Sequence, residues 1–431
     1  MTQQRVSVIG AGLAGCEAAY QLAERGIPVD LYEMKPQKMS PAHHSGDFCE
    51  LVCSNSLRSD RIENAVGLLK AELRILGSLV LCVADETRVP AGGALAVDRE
   101  GFSARISEII RSHPNITIHS EEVISIPEAP AIIASGPLTS DALAAEIACI
   151  TGEALHFYDA AAPIVTYDSL DMTKVYRASR YGRGDDYLNC PMTREEYEVF
   201  YHALISAETA ELHSFETPRV FEGCMPVEVM AKRGEQTLCF GPMKPVGLEL
   251  DGKEPYAVVQ LRQDDKDGRL FNLVGFQTNL KFAEQRRVFG LIPGLEHAEF
   301  ARYGVMHRNT FLHSPKLLNF DYQMRTVPGL YFAGQMTGVE GYVESASSGF
   351  VAALSLARQL RGEEPIDFTA KTAIGSLGHY VSGYLGDDFQ PMNVTFGIME
   401  SIPERIRKKA LRYAKIAERA LEKIREIQPS L

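Results

Sequence analysis

An α/β fold built around parallel strands is what this sequence predicts, and three observations predict it. Residues Arg5 to Glu33, RVSVIGAGLAGCEAAYQLAERGIPVDLYE, run as apolar strand, glycine turn, alanine-bearing helix and second strand. A strand, glycine-spaced loop and small-residue helix recur near residue 330, in LYFAGQMTGVEGYVESASSGFVAALSLARQL. Between about Leu138 and Tyr303 the apolar runs shorten, turns multiply, and Tyr, Asp and Glu rise. That change reads as an α+β domain inserted into a nucleotide domain. The expected division is residues 1–160 and 301–431 for the two parts of the nucleotide domain, and 161–300 for the insertion.

In the first stretch, Val6–Ile9 reads as a buried parallel strand. It runs into Gly10-Ala11-Gly12-Leu13-Ala14-Gly15, the G-x-G-x-x-G spacing of a Rossmann dinucleotide site. Gly10 permits the tight turn, Gly12 lets a pyrophosphate approach the backbone, and Gly15 lets helix and strand pack closely. The helix N-terminus turns free N–H groups and the positive end of its dipole towards the phosphates. The second strand ends on Glu33, 18 residues after Gly15, placed to accept from a ribose hydroxyl. An acid there disfavours a 2′-phosphate, so FAD or NAD is expected over NADP.

Composition sets the outer bounds. The 431 residues suffice for two or three domains, and 45% hydrophobic with 23% charged residues is ordinary for a globular chain. No apolar run is long enough to span a membrane. The N-terminus carries no basic region or cleavage site, so no signal peptide and a cytoplasmic location are expected. Eight scattered cysteines (16, 49, 53, 82, 149, 190, 224 and 239), with no C-x-x-C pair, read as free thiols. The net charge of −12 hides an asymmetry: residues 401–431 carry nine Lys and Arg against four Glu, a local +5, which leaves −17 on the rest. A basic terminal helix on an acidic body fits a nucleic-acid or membrane-surface element, or a solvated amphipathic helix with Ile406, Ala410, Ala414, Ala417, Leu421 and Ile424 at helical spacing.

After Glu33 a polar, aperiodic stretch containing His43, His44, Cys49 and Cys53 reads as a long functional loop. Its cysteine spacing does not suit a structural zinc site. Cys53, in V-C-S-N-S, is either a reactive thiol facing the cofactor crevice or a buried loop cysteine. Residues 62–80 predict one helix, with Val66, Leu69, Leu73, Leu76 and Leu79 on one face. A Gly-Gly turn and a short strand follow, then a helix opened by Asp98-Arg99. Strands are expected at Ile116–His119, Glu122–Ile126 and Ala131–Ala134. Within the insertion, TREEYEVFYHALISAE predicts a helix, and the alternation in YAVVQLRQ and FNLVGFQT predicts antiparallel strands. Cys224 follows a glycine and precedes Met225-Pro226, so it sits in a bend; Arg219, Lys232 and Arg233 are close in sequence, and basic neighbours lower a thiol pKa.

The strand Leu330–Ala333, the loop at Gly334-Gln335 and a helix from about Ser345 resemble the closing motif of glutathione-reductase-type flavoproteins. In that class the strand ends in A-G-D at the FAD ribitol and pyrophosphate; this chain has Gln335 in place of the Asp. The next helix aims its N-terminus at the flavin pyrimidine edge. One glycine fingerprint with one closing motif implies a single FAD, with any nicotinamide binding at the flavin face.

Longer motifs extend the resemblance over essentially the whole chain. G-A-G-L-A-G, E-L-V-C-S-N-S-L-R-S, P-A-G-G-A-L-A-V-D-R, F-E-G-C-M-P-V-E-V-M-A-K-R-G, F-G-P-M-K-P-V-G-L and F-A-G-Q-M-T-G-V-E-G-Y-V-E-S-A resemble the folate- and FAD-dependent tRNA uracil-5-methyltransferase (TrmFO) family. A more distant resemblance is to the MnmG flavoproteins of wobble-uridine modification. The resemblance implies methylation of the T-loop uridine (U54) of tRNA. 5,10-Methylenetetrahydrofolate would donate the carbon, FAD would carry the reduction, and NADH or NADPH would restore the flavin. It implies Cys224 as nucleophile and Cys53 as proton acceptor, with the reverse left open. It also puts Tyr342 and Glu344, beside Gly334, Gln335 and Ser345, near the flavin or folate. Arg177, Arg180, Arg183, Lys232–Arg233, Arg286–Arg287 and the basic terminal helix are the candidate tRNA contacts.

Overall fold

A computed structural model describes residues 4–40, 42–152, 154–210, 225–250, 252–386, 389–404 and 406–431. Val6–Ile9 is the centre of a five-stranded parallel sheet, ordered Leu330–Phe332, Ala131–Ile133, Val6–Ile9, Val29–Glu33, Ile116–Ser120. Strands from both ends of the chain thus lie in one sheet. The helices Leu13–Glu24 and Tyr342–Leu360 pack on each other above it. Their touching faces are rich in Ala, Gly and Ser, and such small side chains permit close backbone approach.

The intervening chain builds a six-stranded antiparallel sheet in the order Tyr176–Arg177, Tyr187–Met192, Ala257–Gln263, Leu270–Leu273, Ile164–Thr166, Phe300–Arg302. Arg194–Ile205 is the expected helix, opened by a capping box between Thr193 and Glu196. The buried side chains divide accordingly. One core gathers residues from 6–134 and 311–427, and another gathers residues from 165–295. Chain enters and leaves the insertion through the paired strands Ala154–Ala160 and Met306–Leu312, which we propose as the seam between the two parts.

Three local expectations are corrected. Residues 62–80 do not form one helix: Ala65–Leu76 ends on Gly77 at φ +81°, and Leu79–Glu86 restarts with Ser78 as N-cap. The apolar periodicity runs through the break because both helices face the same core. Glu17 explains the restart, since its buried carboxylate accepts from Ser78 Oγ (2.7 Å), Leu79 N (3.1 Å) and Val80 N (2.9 Å). No strand forms at Glu122–Ile126; that segment turns along the cofactor crevice, where Glu122 and Val123 line the wall. The closing helix begins at Tyr342, one turn before Ser345. The basic helix spans Lys409–Ile427 and buries Ile416, Ala417, Ala420, Ile424 and Ile427, while Ala410 and Ala414 stay exposed.

Candidate functional site: two adjoining cavities

The first cavity follows the C-terminal ends of the parallel strands, where ligands of open α/β sheets bind. The crevice and its open mouth together hold about 1060 Å³. Gly10, Ala11, Gly12, Leu13 and Ala14 form its floor. Gly10 holds φ +98°, which a side chain would strain. A β-carbon on Gly15 would collide with the Gly10 carbonyl, whereas one on Gly12 would meet nothing within 4 Å. The turn is therefore closed behind and open in front. Neither the Leu13–Glu24 helix nor the Tyr342–Leu360 helix has a side-chain cap, so both N-termini keep free N–H donors.

Glu33 is 8% exposed and lines the same space. Its carboxylate accepts from Ala11 N (2.8 Å) and Lys35 N (3.0 Å), which ties the strand end to the glycine turn. A carboxylate has about four acceptor sites, so this leaves capacity for a ribose hydroxyl. Gly334, Gln335, Tyr342 and Ser345 close the far end. Gly334 N donates to Ser348 Oγ (2.7 Å), and Gln335 Nε2 donates to Glu340 Oε2 (2.7 Å). An elongated cleft with a glycine turn at one end, an acid beside it and an uncapped helix at the other fits FAD.

A second cavity, about 1300 Å³, lies against the first and shares Val52, Pro137, Leu138, Gln335 and Tyr342 with it. Cys53 lines this second space and not the first. The thiol donates to Ala160 O (3.7 Å), and Cys53 N donates to Tyr342 Oη (2.9 Å). Ser54 N reaches the same phenol oxygen at 3.3 Å. Tyr342 is thus the post between the cavities, and burial pushes its phenol pKa upward, with the neighbouring Cys53 adding to the effect. It stays a neutral phenol, with its own proton free to donate.

Glu344 lies behind this wall, wholly buried, and reaches the second cavity only through Arg58. The pair is direct, and Glu344 Oε1 also accepts from Val394 N (3.1 Å), while Oε2 has no partner among the described residues. Arg58 holds φ +64°, and buried Lys70 braces its loop by donating to Leu57 O (2.8 Å) and Ser59 O (2.7 Å). Burial pulls the Lys70 ammonium down to about 7. The loop is also clamped to the inserted sheet. Asn55 Nδ2 donates to Val97 O and Gln263 O (both 2.9 Å), and Arg99 pairs with Asp264 (2.9 Å).

Cys224 lies outside the described residues. Val227, three residues on, donates its N–H to Gln277 O (2.7 Å), and Gln277 lines the second cavity. Arg177, Arg183, Lys232, Arg233, Arg286 and Arg287 are exposed and Arg180 is half-buried; Arg180 donates to Gln260 and Val246, and Arg287 to Glu284. No group of His, Cys, Asp or Glu among the described residues could hold a metal ion, and no described helix is long and apolar enough to cross a membrane. Sequence reasoning missed Lys70, Arg262 and Asn272. The alternation in YAVVQLRQ carried a signal: Val258, Gln260 and Arg262 share one face, and the strand is buried almost throughout, so that face meets protein instead of water.

Comparison with known proteins places this geometry. The family model described as "Glucose inhibited division protein A" matches residues 5–364. A curated protein of Bacillus licheniformis, named methylenetetrahydrofolate–tRNA-(uracil-5-)-methyltransferase TrmFO, is 60% identical over 99% of this chain and 100% of its own length. The Bacillus subtilis protein of the same name is 59% identical over 100% of both, and that of Acetivibrio thermocellus is 60% identical over 98% of both. Among solved structures, Aquifex aeolicus GidA superposes with a TM-score of 0.70 at 16% identity, over 98% of this chain and 74% of that one. That likeness shows the shared fold.

Proposed function

This chain belongs to the glucose-inhibited division protein A family and, within it, to the methylenetetrahydrofolate–tRNA-(uracil-5-)-methyltransferases, and from that membership we infer its reaction. It transfers a one-carbon unit from 5,10-methylenetetrahydrofolate to C5 of a uracil in tRNA. The target is the T-loop uridine, and NADH or NADPH is the external reductant. FAD, when bound, supplies the two-electron reduction that brings the transferred carbon to the methyl level.

The protein's own residues bind, orient and move protons. The turn Gly10–Gly15 seats the pyrophosphate, Glu33 takes the adenosine ribose, and Gly334, Gln335 and Ser345 border the flavin end. Tyr342 separates cofactor from substrate and fixes the Cys53 loop through two backbone N–H groups. Uracil C5 is a poor nucleophile. A thiolate adding to C6 turns the ring into an enolate that attacks an electrophilic carbon, after which a base removes the C5 proton. We assign the addition to Cys224 and the proton to Cys53. The observation that supports the site is the shared wall: Cys53 opens into a large cavity separated from the FAD crevice only by residues that line both.

The test is nucleoside mass spectrometry of a T-arm transcript incubated with the yellow, flavin-loaded protein. 5-Methyluridine should appear only when methylenetetrahydrofolate is present. With 5-fluorouridine RNA, a Cys224→Ala protein should form no covalent adduct. An adduct on that variant would reverse the two cysteine roles.

A further inference from the structure

The second cavity contains a donor pair that the proposed reaction has not yet used. Arg262 and Asn272 face each other across the antiparallel ladder of Ala257–Gln263 and Leu270–Leu273. Both line the cavity, though only 7% and 2% exposed. Arg262 donates through Nε to Asn55 Oδ1 (3.1 Å) and through Nη2 to Ser54 Oγ (2.7 Å), and Nη2 stands 3.5 Å from Asn272 Oδ1. No carboxylate pairs with it among the described residues, because the nearby Asp264 is taken by Arg99. Burial pulls the Arg262 pKa downward. Asn272 Nδ2 is buried with no partner among the described residues. An unpaired buried cation and an unmet amide donor each cost free energy. An oxygen carrying negative charge, bound against both, would offset the two costs together.

We propose that Arg262 and Asn272 bind the C4 carbonyl oxygen of the target uracil and stabilise the enolate that forms there. The inference rests on the cysteine roles given above. When the thiolate sulfur bonds to C6, the C5=C6 π pair shifts into C4–C5 and the carbonyl π pair moves onto O4. One S–C bond forms, no proton moves, and the negative charge passes from sulfur to O4. C5 is bonded to C4, so a base serving C5 and donors serving O4 must open into one space. Cys53, Arg262 and Asn272 do so. Ser54 and Asn55, the two residues after Cys53, are the ones that hold the Arg262 guanidinium. The glutamyl carboxylate of the folate is the competing source of an anionic oxygen. A flexible, strongly hydrated tail suits an open arginine, whereas this one is almost enclosed.

The experiment measures adduct formation with 5-fluorouridine T-arm RNA alongside steady-state kinetics on the normal transcript, with flavin content as the folding control. Asn272→Ala should slow both adduct formation and kcat by about 100-fold, the scale of losing one oxyanion donor. KM for RNA and for methylenetetrahydrofolate should stay within about threefold. Asn272→Asp should be slower still, and Arg262→Lys should recover part of what Arg262→Met loses. Wild-type adduct rates in both Asn272 variants would overturn the proposal. So would a tenfold rise in the folate KM with adduct formation unchanged, which would assign the pair to the folate tail. If Arg262→Met loses its flavin, the Asn272 variants decide the matter alone. Absence of 5-methyluridine from the wild-type reaction would instead overturn the underlying functional reading.

Discussion

The two cavities are made in different ways. The FAD crevice is assembled mainly from short contiguous runs, Gly10–Ala14, Tyr32–Lys35 and Ser135–Ser140, each at the end of a parallel strand. The second cavity draws on residues 52–58, 160–162, 262–277 and 335–343, plus Asn393, which belong to the six-stranded antiparallel sheet, to the end of the strand Ala154–Ala160 and to loops of the nucleotide part. A site made of strand ends inherits its geometry from the sheet. A site made at a seam depends on how two cores are clamped together, here by Asn55 with Gln263 and by Arg99 with Asp264. The first should therefore fail by losing its ligand, and the second by losing rate.

The largest expected effect breaks the crevice. Gly15→Val drives a branched side chain into the Gly10 carbonyl, an overpacking cost of roughly 3 kcal/mol. The protein should purify colourless, with its flavin absorbance gone and activity lost along with it. Retention of stoichiometric FAD would show that the glycine turn is not the pyrophosphate seat.

Cys53→Ala should do the opposite, keeping FAD while lowering the yield of 5-methyluridine by about 10²–10⁴-fold, the range for a lost general base. A change below threefold would remove Cys53 from the chemistry.

Next comes the wall of the second cavity, which Arg58 lines. Arg58→Ala leaves the buried Glu344 carboxylate without its counter-ion. The expected loss is roughly 2 kcal/mol, less than for a fully buried pair because the Arg58 side chain is 38% exposed. Chemical denaturation of Arg58→Ala, Glu344→Gln and the double variant would measure the coupling, and the double variant should be less unstable than Arg58→Ala. A loss in the double variant equal to the sum of the two single losses would show that the pair contributes nothing.

The smallest effect is a pH dependence away from both sites. Glu72 is buried and accepts from Ala373 N (2.7 Å) and Ile374 N (2.8 Å), and burial raises its pKa to about 8. Its folded value lies above the ordinary 4.5, so between those pH values the folded protein holds more protons than the unfolded one. Stability from this group therefore falls as pH rises from about 4.5 to about 8. Glu72→Gln should flatten that slope, so its melting temperature relative to wild type should climb by a few degrees between pH 5 and pH 8.5. Parallel curves would rule the carboxyl out as the cause.

Much of the crevice could be read directly. Gly10, Gly12, Gly15 and Glu33 are spaced by the strand–helix–strand repeat, and the roles we propose for them follow from the local backbone. The break at Gly77–Ser78 could not be read from periodicity, because Glu17 caps the second helix from 61 residues away. Glu344 looked like a flavin-loop residue because it follows Tyr342 and Val343 in a glycine-rich motif. A helix turns about 100° per residue, so Tyr342 faces the cavities while Glu344 faces inward to Arg58.

By itself the sequence predicted a single dinucleotide site, an inserted α+β domain and two motif-embedded cysteines. Spacing along one strand and one helix turn is enough to define a phosphate seat. Only the tertiary structure decided that Cys53 opens into a second chamber, that Tyr342 divides it from the first, and that Arg262 and Asn272 meet there. The contacts of Cys53 with Tyr342 and of Asn55 with Arg262 join residues more than two hundred positions apart, and such distant neighbours are set by tertiary packing, not by any local periodicity.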